Sequence, residues 1–146
     1  MKTLWIIMAF FSGFFLPLQG GINARLGKEL QSPIYASLIS FLIGATAIMV
    51  FIFLSDQTVS WGGIKTAPAY TWIGGILGAF YVTTIILCVP KIGSTLTFGL
   101  VIAGQMVAAV VMDHFKIFVS EQHPINLIRI VGILLIISGV IIIKKF

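Results

Sequence analysis

Three polar side chains share one face of the first long apolar segment. Ser12, Gln19 and Asn23 are spaced i, i+7, i+11, which aligns them on one side of a helix. Pro17 lies among them. It lacks a backbone donor and its ring clashes with the carbonyl of Gly13, so a kink is expected there. Amides at such depth can serve two ends. They can hydrogen-bond a solute in a cavity lined by a broken helix, or they can bond a neighbouring helix, an interaction worth about 0.6–2 kcal/mol. The stripe and the kink coincide, and on the sequence both readings stand. Gln105, near the centre of the fourth apolar segment, and Tyr81, near the centre of the third, add a second amide-bearing helix and a phenol. Neutral groups of this kind suit a neutral, zwitterionic or weakly charged solute; alone they would not hold a bare cation.

Signals for covalent or metal chemistry are missing. No Asp, Glu, Lys, Arg or His lies in the middle of an apolar segment. His114 and His123 read as isolated loop residues, so no metal-ligand spacing forms, and no Gly-rich loop precedes Lys-Ser/Thr. Neither a Ser–His nor a paired-Asp arrangement occurs at depth, as an intramembrane protease would need. The expectation is a protein that is not an enzyme and uses no metal or cofactor. Asp113 comes nearest to the membrane interior and reads as an interfacial acid rather than a buried proton relay. The single cysteine, Cys88, cannot form an internal disulfide and reads as a small packing residue.

Five apolar segments carry these residues: Thr3–Ala24, Pro33–Leu54, Ala67–Val89, Gly93–Met112 and Ile125–Ile143. Each has about the ~20 residues a helix needs to cross a bilayer. The chain is 59% hydrophobic and 9% charged, where a soluble domain carries roughly 25% charge. The expected fold class is therefore all-α, a polytopic membrane protein whose residues 1–146 form a single transmembrane domain. The first segment mimics a signal peptide, with Lys2 before an apolar run, but Gly20–Ala24 lacks a clear small-x-small cleavage site. Connections are short: Gly27–Ser32, Ser55–Thr66, a tight hairpin at Pro90-Lys91, and Asp113–Pro124. Trp5, Trp61, Tyr70 and Trp72 fall toward one face and Tyr35 toward the other, as in an interfacial aromatic belt.

Small residues map where helices can approach closely. Ala36, Ser40 and Gly44 recur every four residues in the second span, Gly74 and Gly78 in the third, and Gly99 and Ala103 in the fourth. Gly132 and Gly139 make a seam on a last helix that is otherwise almost wholly aliphatic. That helix reads as a clamp rather than a pore wall. Gly132 and Gly139, with Gly74 and Gly78 as the other face, are the expected dimer interface.

Five spans put the chain ends on opposite sides of the membrane. Lys2, Lys65, Lys116 and Arg129 then fall on the N-terminal side, and Arg25, Lys28, Lys91, Lys144 and Lys145 on the other. Lys and Arg in short loops set orientation because they stay cytoplasmic. Four against five gives almost no preference, so insertion both ways up is expected, and oppositely inserted copies could pair. The formal net charge of +5 is spread singly over helix ends. That suits snorkelling and lipid-headgroup contact and not nucleic-acid binding.

Several motifs occur together in a familiar order. Pro17-Leu18-Gln19-Gly20-Gly21-Ile22-Asn23-Ala24-Arg25-Leu26-Gly27 resembles the opening of the YdcZ-like family, a bacterial branch of the drug/metabolite transporter superfamily. Trp72 to Ala79, Val89-Pro90-Lys91-Ile92-Gly93, Gly104-Gln105, Asp113-His114-Phe115 and Arg129 to Val140 resemble that family's later helices and turns. The resemblance implies a multi-pass protein of the bacterial inner membrane that exports a small molecule. Members occur as single five-helix chains, paired chains and ten-helix fusions with inverted halves. An antiparallel dimer is therefore implied, either with itself or with a similar five-helix chain, working by alternating access. The last helix is also similar to the dimerising helix of small multidrug resistance transporters. Two positions depart: Lys116 stands where glycine is expected, and no acidic residue occupies the first span, so proton-coupled export of cations is not implied. Two alternatives accompany this reading, a non-transporting subunit of a membrane complex and one half of an obligate heterodimer.

Overall fold

A computed structural model describes residues 2–145. Four long helices and one short one precede the last: α1 (Lys2–Glu29), α2 (Pro33–Leu54), the short α3 (Gly62–Thr66), α4 (Ile73–Ile92), α5 (Ser94–Phe115), and finally α6 (Leu127–Lys145). A 3₁₀ turn, Ala69–Trp72, leads into α4. The described residues are all-helical, with five helices long and apolar enough to cross a bilayer: α1, α2, the run Ala69–Ile92, α5 and α6. Their large apolar side chains point outward; Phe53 is 78% exposed and Ile128 81%. Most of the residues that do bury are small or polar, among them Ala36, Asn23, Ser37 and Thr97, with Ile85, Ile86 and Phe98 as the large apolar exceptions. Such an apolar exterior is tolerable where lipid is the solvent, since lipid supplies no hydrophobic drive to bury it.

Local chemistry explains the helix ends. Ser32 caps α2 by accepting from the Tyr35 N–H at 3.4 Å, and Pro33 occupies the first turn, where its missing donor costs nothing. At the end of α1, Ser32 N–H bonds Gly27 O at 3.0 Å and Gln31 N–H bonds Lys28 O at 3.2 Å. This is a Schellman closure with Gln31 in the left-handed region, φ 52°. The same motif ends α5: Ile117 N–H bonds Met112 O at 2.8 Å and Lys116 N–H bonds Asp113 O at 3.4 Å, with Lys116 at φ 54°. Lys116, the departure from the family pattern, thus occupies the position that most favours glycine.

Several boundaries differ from those read off the sequence. α1 continues past Ala24 to Glu29, because the Schellman closure comes only at Gln31. Pro17 lies inside α1, which runs through it as a continuous helix. Pro90 is likewise inside α4, so the break between α4 and α5 comes at Gly93 (φ 80°) and not at Pro90-Lys91. Asp113 and His114 belong to the last turn of α5, not to a loop, and α3 interrupts the Ser55–Thr66 connection.

The chain resolves into two compact units, Met1–Lys91 and Ile92–Phe146. In the first, Gly27 is the tightest point. A Cβ there would lie 2.8 Å from Ile86 Cγ2, 3.5 Å from Pro33 Cα and 3.6 Å from Ala36 Cβ. In the second, α5 and α6 meet at Gly99, where a Cβ would lie 2.6 Å from Val140 Cγ1.

Candidate functional site

The buried face of α1 is confined to its C-terminal half: Gly20, Asn23, Ala24 and Gly27. The small residues let α2 approach and admit the Ile86 side chain of α4, and Asn23 rides in with them. Its Nδ2 donates to Ser40 Oγ on α2 at 3.0 Å. One turn away, Thr83 Oγ1 on α4 donates to Ser37 Oγ on α2 at 2.8 Å, while Ser37 Oγ donates to Pro33 O at 3.0 Å. Two side-chain hydrogen bonds therefore join the helices of the first unit, α1 to α2 and α2 to α4.

Beside them lies a cavity of about 10 Å³ lined by Gln19, Gly20, Asn23 and Tyr81, with Leu16, Val82 and Ile85 as apolar walls. The Tyr81 hydroxyl is buried and has no hydrogen-bond partner. A buried unpaired polar group costs about 1–3 kcal/mol, so this phenol is poised to bond something that enters. The cavity is about the size one water needs. A second cavity of about 300 Å³ opens onto Gln19, Ser40, Phe41, Gly44 and Ile48, at the lower end of the range for small-molecule pockets. Gln19 and Val82 line both. The arrangement offers amides, hydroxyls and aliphatic wall, groups able to hydrogen-bond an uncharged or zwitterionic solute.

Among the residues singled out from the sequence, the structure brings Gln19, Asn23 and Tyr81 together. Ser12 bonds Ala9 O of its own helix at 2.8 Å and lines neither cavity. Gln105 belongs to the second unit, exposed on α5. Gly78 faces Phe41 of its own unit, a Cβ there meeting Phe41 Cζ at 3.6 Å. Gly74, Gly132 and Gly139 have nothing within 4 Å of a would-be Cβ. Sequence reasoning missed Ser37 and Thr83, because hydroxyls in helices usually satisfy themselves on their own backbone, as Ser37 does on Pro33 O. It also missed Gly27, although Gly20, Ala24 and Gly27 recur at i, i+4, i+7 and could have flagged the seam.

The second unit carries a polar network at one end. Arg129 Nη2 pairs with Asp113 Oδ2 at 3.1 Å, both side chains being less than a third exposed. Arg129 Nη1 donates to His123 O at 3.1 Å, and His123 N–H returns to Asp113 O at 3.1 Å. Gln122 Nε2 donates to His114 O at 2.7 Å and Ile125 N–H to His114 Nδ1 at 3.1 Å. Asn126 caps α6 by accepting from Arg129 N–H at 2.9 Å. Neither Asp113 nor His114 is isolated; both tie the α5–α6 connection down.

Comparison with known proteins agrees with this architecture. The family described as "Putative inner membrane exporter, YdcZ" matches residues 4–142. The inner membrane protein YdcZ of Escherichia coli (strain K12) is 21% identical over 141 residues, covering 94% of this chain and 93% of that protein. No solved structure matches the chain. With five helices able to cross a bilayer and a family match over nearly its whole length, the chain belongs to the YdcZ family and is a multi-pass protein of the inner membrane.

Proposed function

We propose that the protein exports a small, uncharged or zwitterionic molecule, and that two copies inserted in opposite orientations form the transporter. The observation that carries the solute site is the buried, unpartnered Tyr81 hydroxyl at a cavity shared with Gln19 and Asn23. An unspent donor among amides in a membrane helix bundle costs stability and is recovered when a solute accepts from it. Tyr81→Phe separates binding from folding. Removing an orphan hydroxyl should leave the melting temperature unchanged or raise it, whereas flux of the transported solute into proteoliposomes should fall at least tenfold, about 1.4 kcal/mol. Screening metabolites for thermal stabilisation identifies the solute, because a ligand of the folded form raises its melting temperature.

Support for the antiparallel pair comes from the four-against-five balance of Lys and Arg and from the open glycine seam at Gly132 and Gly139 on α6. In a symmetric antiparallel pair the inward and outward states have equal energy, so a gradient or coupled ion must set the direction. Cysteine labelling of a tagged terminus should report both orientations in comparable amounts. Gly132→Leu and Gly139→Leu should each lower the dimer fraction seen by single-molecule photobleaching in liposomes. One-sided labelling points instead to a heterodimer with a similar five-helix chain.

A further inference from the structure

Another cavity of the first unit is distinct from the solute site. It has a volume of about 590 Å³ and opens where α1 and α4 end, between Arg25, Lys28 and Glu29 on one helix and Lys91 on the other. Its remaining walls are apolar, chiefly Ile86 and Leu87 with Pro33 and Pro90. The volume lies well within the range of small-ligand pockets. Arg25 and Glu29 neutralise each other at 4.0 Å through exposed side chains, an ion pair worth little by itself. That leaves Lys28 and Lys91 as unopposed cations over an apolar floor.

Basic residues at helix C-termini need no ligand to be explained, since the helix dipole favours them there. What the dipole does not explain is their placement. Two separate helices bring a lysine to the rim of one cavity, and the cavity's floor is hydrophobic at the level where the spans leave the membrane. A negatively charged head would meet Lys28 and Lys91, and an apolar chain would lie against Ile86 and Leu87. We infer that this cavity binds an amphipathic anion, a phosphate or carboxylate head on an apolar body, either a membrane lipid or a single-chain solute of the same chemistry. The inference does not depend on the export reading.

Charge substitution must be controlled, because removing Lys28 and Lys91 also shifts the loop balance that sets orientation. Lys144→Gln/Lys145→Gln removes the same number of cations from the same side, also at a helix C-terminus, but outside the cavity. Thermal unfolding would be followed in a neutral detergent with added dodecyl phosphate. Wild type and the Lys144→Gln/Lys145→Gln protein should be stabilised alike. Lys28→Gln/Lys91→Gln should need about thirtyfold more, roughly fivefold per lysine. Leu87→Glu, which leaves both lysines in place but sets a carboxylate against the chain, should lose the effect as well. Phosphatidylglycerol matching dodecyl phosphate, with phosphatidylcholine inert, identifies the occupant as a lipid; stabilisation by the single-chain anion alone identifies a solute. Equal shifts in both double variants, equal stabilisation by inorganic phosphate, or no stabilisation of wild type would each overturn the assignment.

Discussion

The two units of this chain spend their polar groups differently. In Met1–Lys91, polar side chains lie at depth between helices: Asn23 on Ser40, Thr83 on Ser37, and a Tyr81 hydroxyl with no partner. In Ile92–Phe146, the α5–α6 contact is glycine against valine, and the polar network sits at one end, around Asp113 and Arg129. Hydroxyls along α5 and α6 turn back on their own helices, Thr97 to Gly93 O at 2.7 Å and Ser138 to Leu134 O at 2.7 Å. The first unit keeps a buried donor in reserve, while the second holds its polar network at one end and leaves Gln105 exposed on α5. On the proposed reading, recognition would rest with the first unit and the second would chiefly hold shape.

The sharpest way to break it is to overfill the seams. Gly27→Leu and Gly99→Leu should each cost about 3 kcal/mol, the upper part of the usual overpacking range, because both sites are already at contact distance. The second should leave solute stabilisation of the first unit intact once the loss of melting temperature is allowed for; the first should abolish it. Equal loss of binding in both variants would erase the division of labour.

Cutting the polar end of the second unit comes next. Asp113→Ala leaves Arg129 without its carboxylate in a half-buried setting, and about 2 kcal/mol of stability should go, in the range for hydrogen bonds to charged groups. If Asp113 instead carried protons for transport, Asp113→Asn would stop flux while keeping the melting temperature. Retained flux with lowered stability is the expected outcome.

The smallest effect is a gain. Lys116 holds a left-handed conformation, φ 54° and ψ 38°, that glycine adopts without strain. Lys116→Gly should raise stability by up to about 1 kcal/mol, read by thermal unfolding of purified protein so that the altered charge balance plays no part. No change would mean that the left-handed closure of α5 carries no strain.

Much of the fold was legible in the sequence because membrane-spanning length and apolarity are local properties. Pro33–Leu54 was read to the residue, since Ser32 and Pro33 mark its start and Ser55-Asp56 its end. Other ends were misread where the signal was ambiguous. Pro90 is tolerated in the last turn of α4, and Gln31 and Lys116 close helices where glycine would have announced the stop. Of the candidate site, Gln19, Asn23 and Tyr81 could be picked out as polar groups in apolar runs. Their convergence could not, because it depends on which faces of α1, α2 and α4 meet. That is decided at Gly27, Ala36 and Ile86, where the small-residue spacing marks a close-packing face but not which face it meets.

The most direct test is water accessibility of the polar cluster. In a Cys88→Ser background, Gln19→Cys and Asn23→Cys should react with a membrane-impermeant thiol reagent, as should Gln105→Cys if α5 also borders the path. Leu134→Cys, on the side of α6 away from Gly132 and Gly139 and 55% exposed, serves as the lipid-facing control. A thiol in water ionises and reacts; one held in an apolar setting stays protonated and does not. The account predicts reaction at 19 and 23 well above the control, slowed by the solute. Labelling at both sites as slow as at 134, together with lowered melting temperatures, would show that these amides only hold helices together and would contradict the binding site.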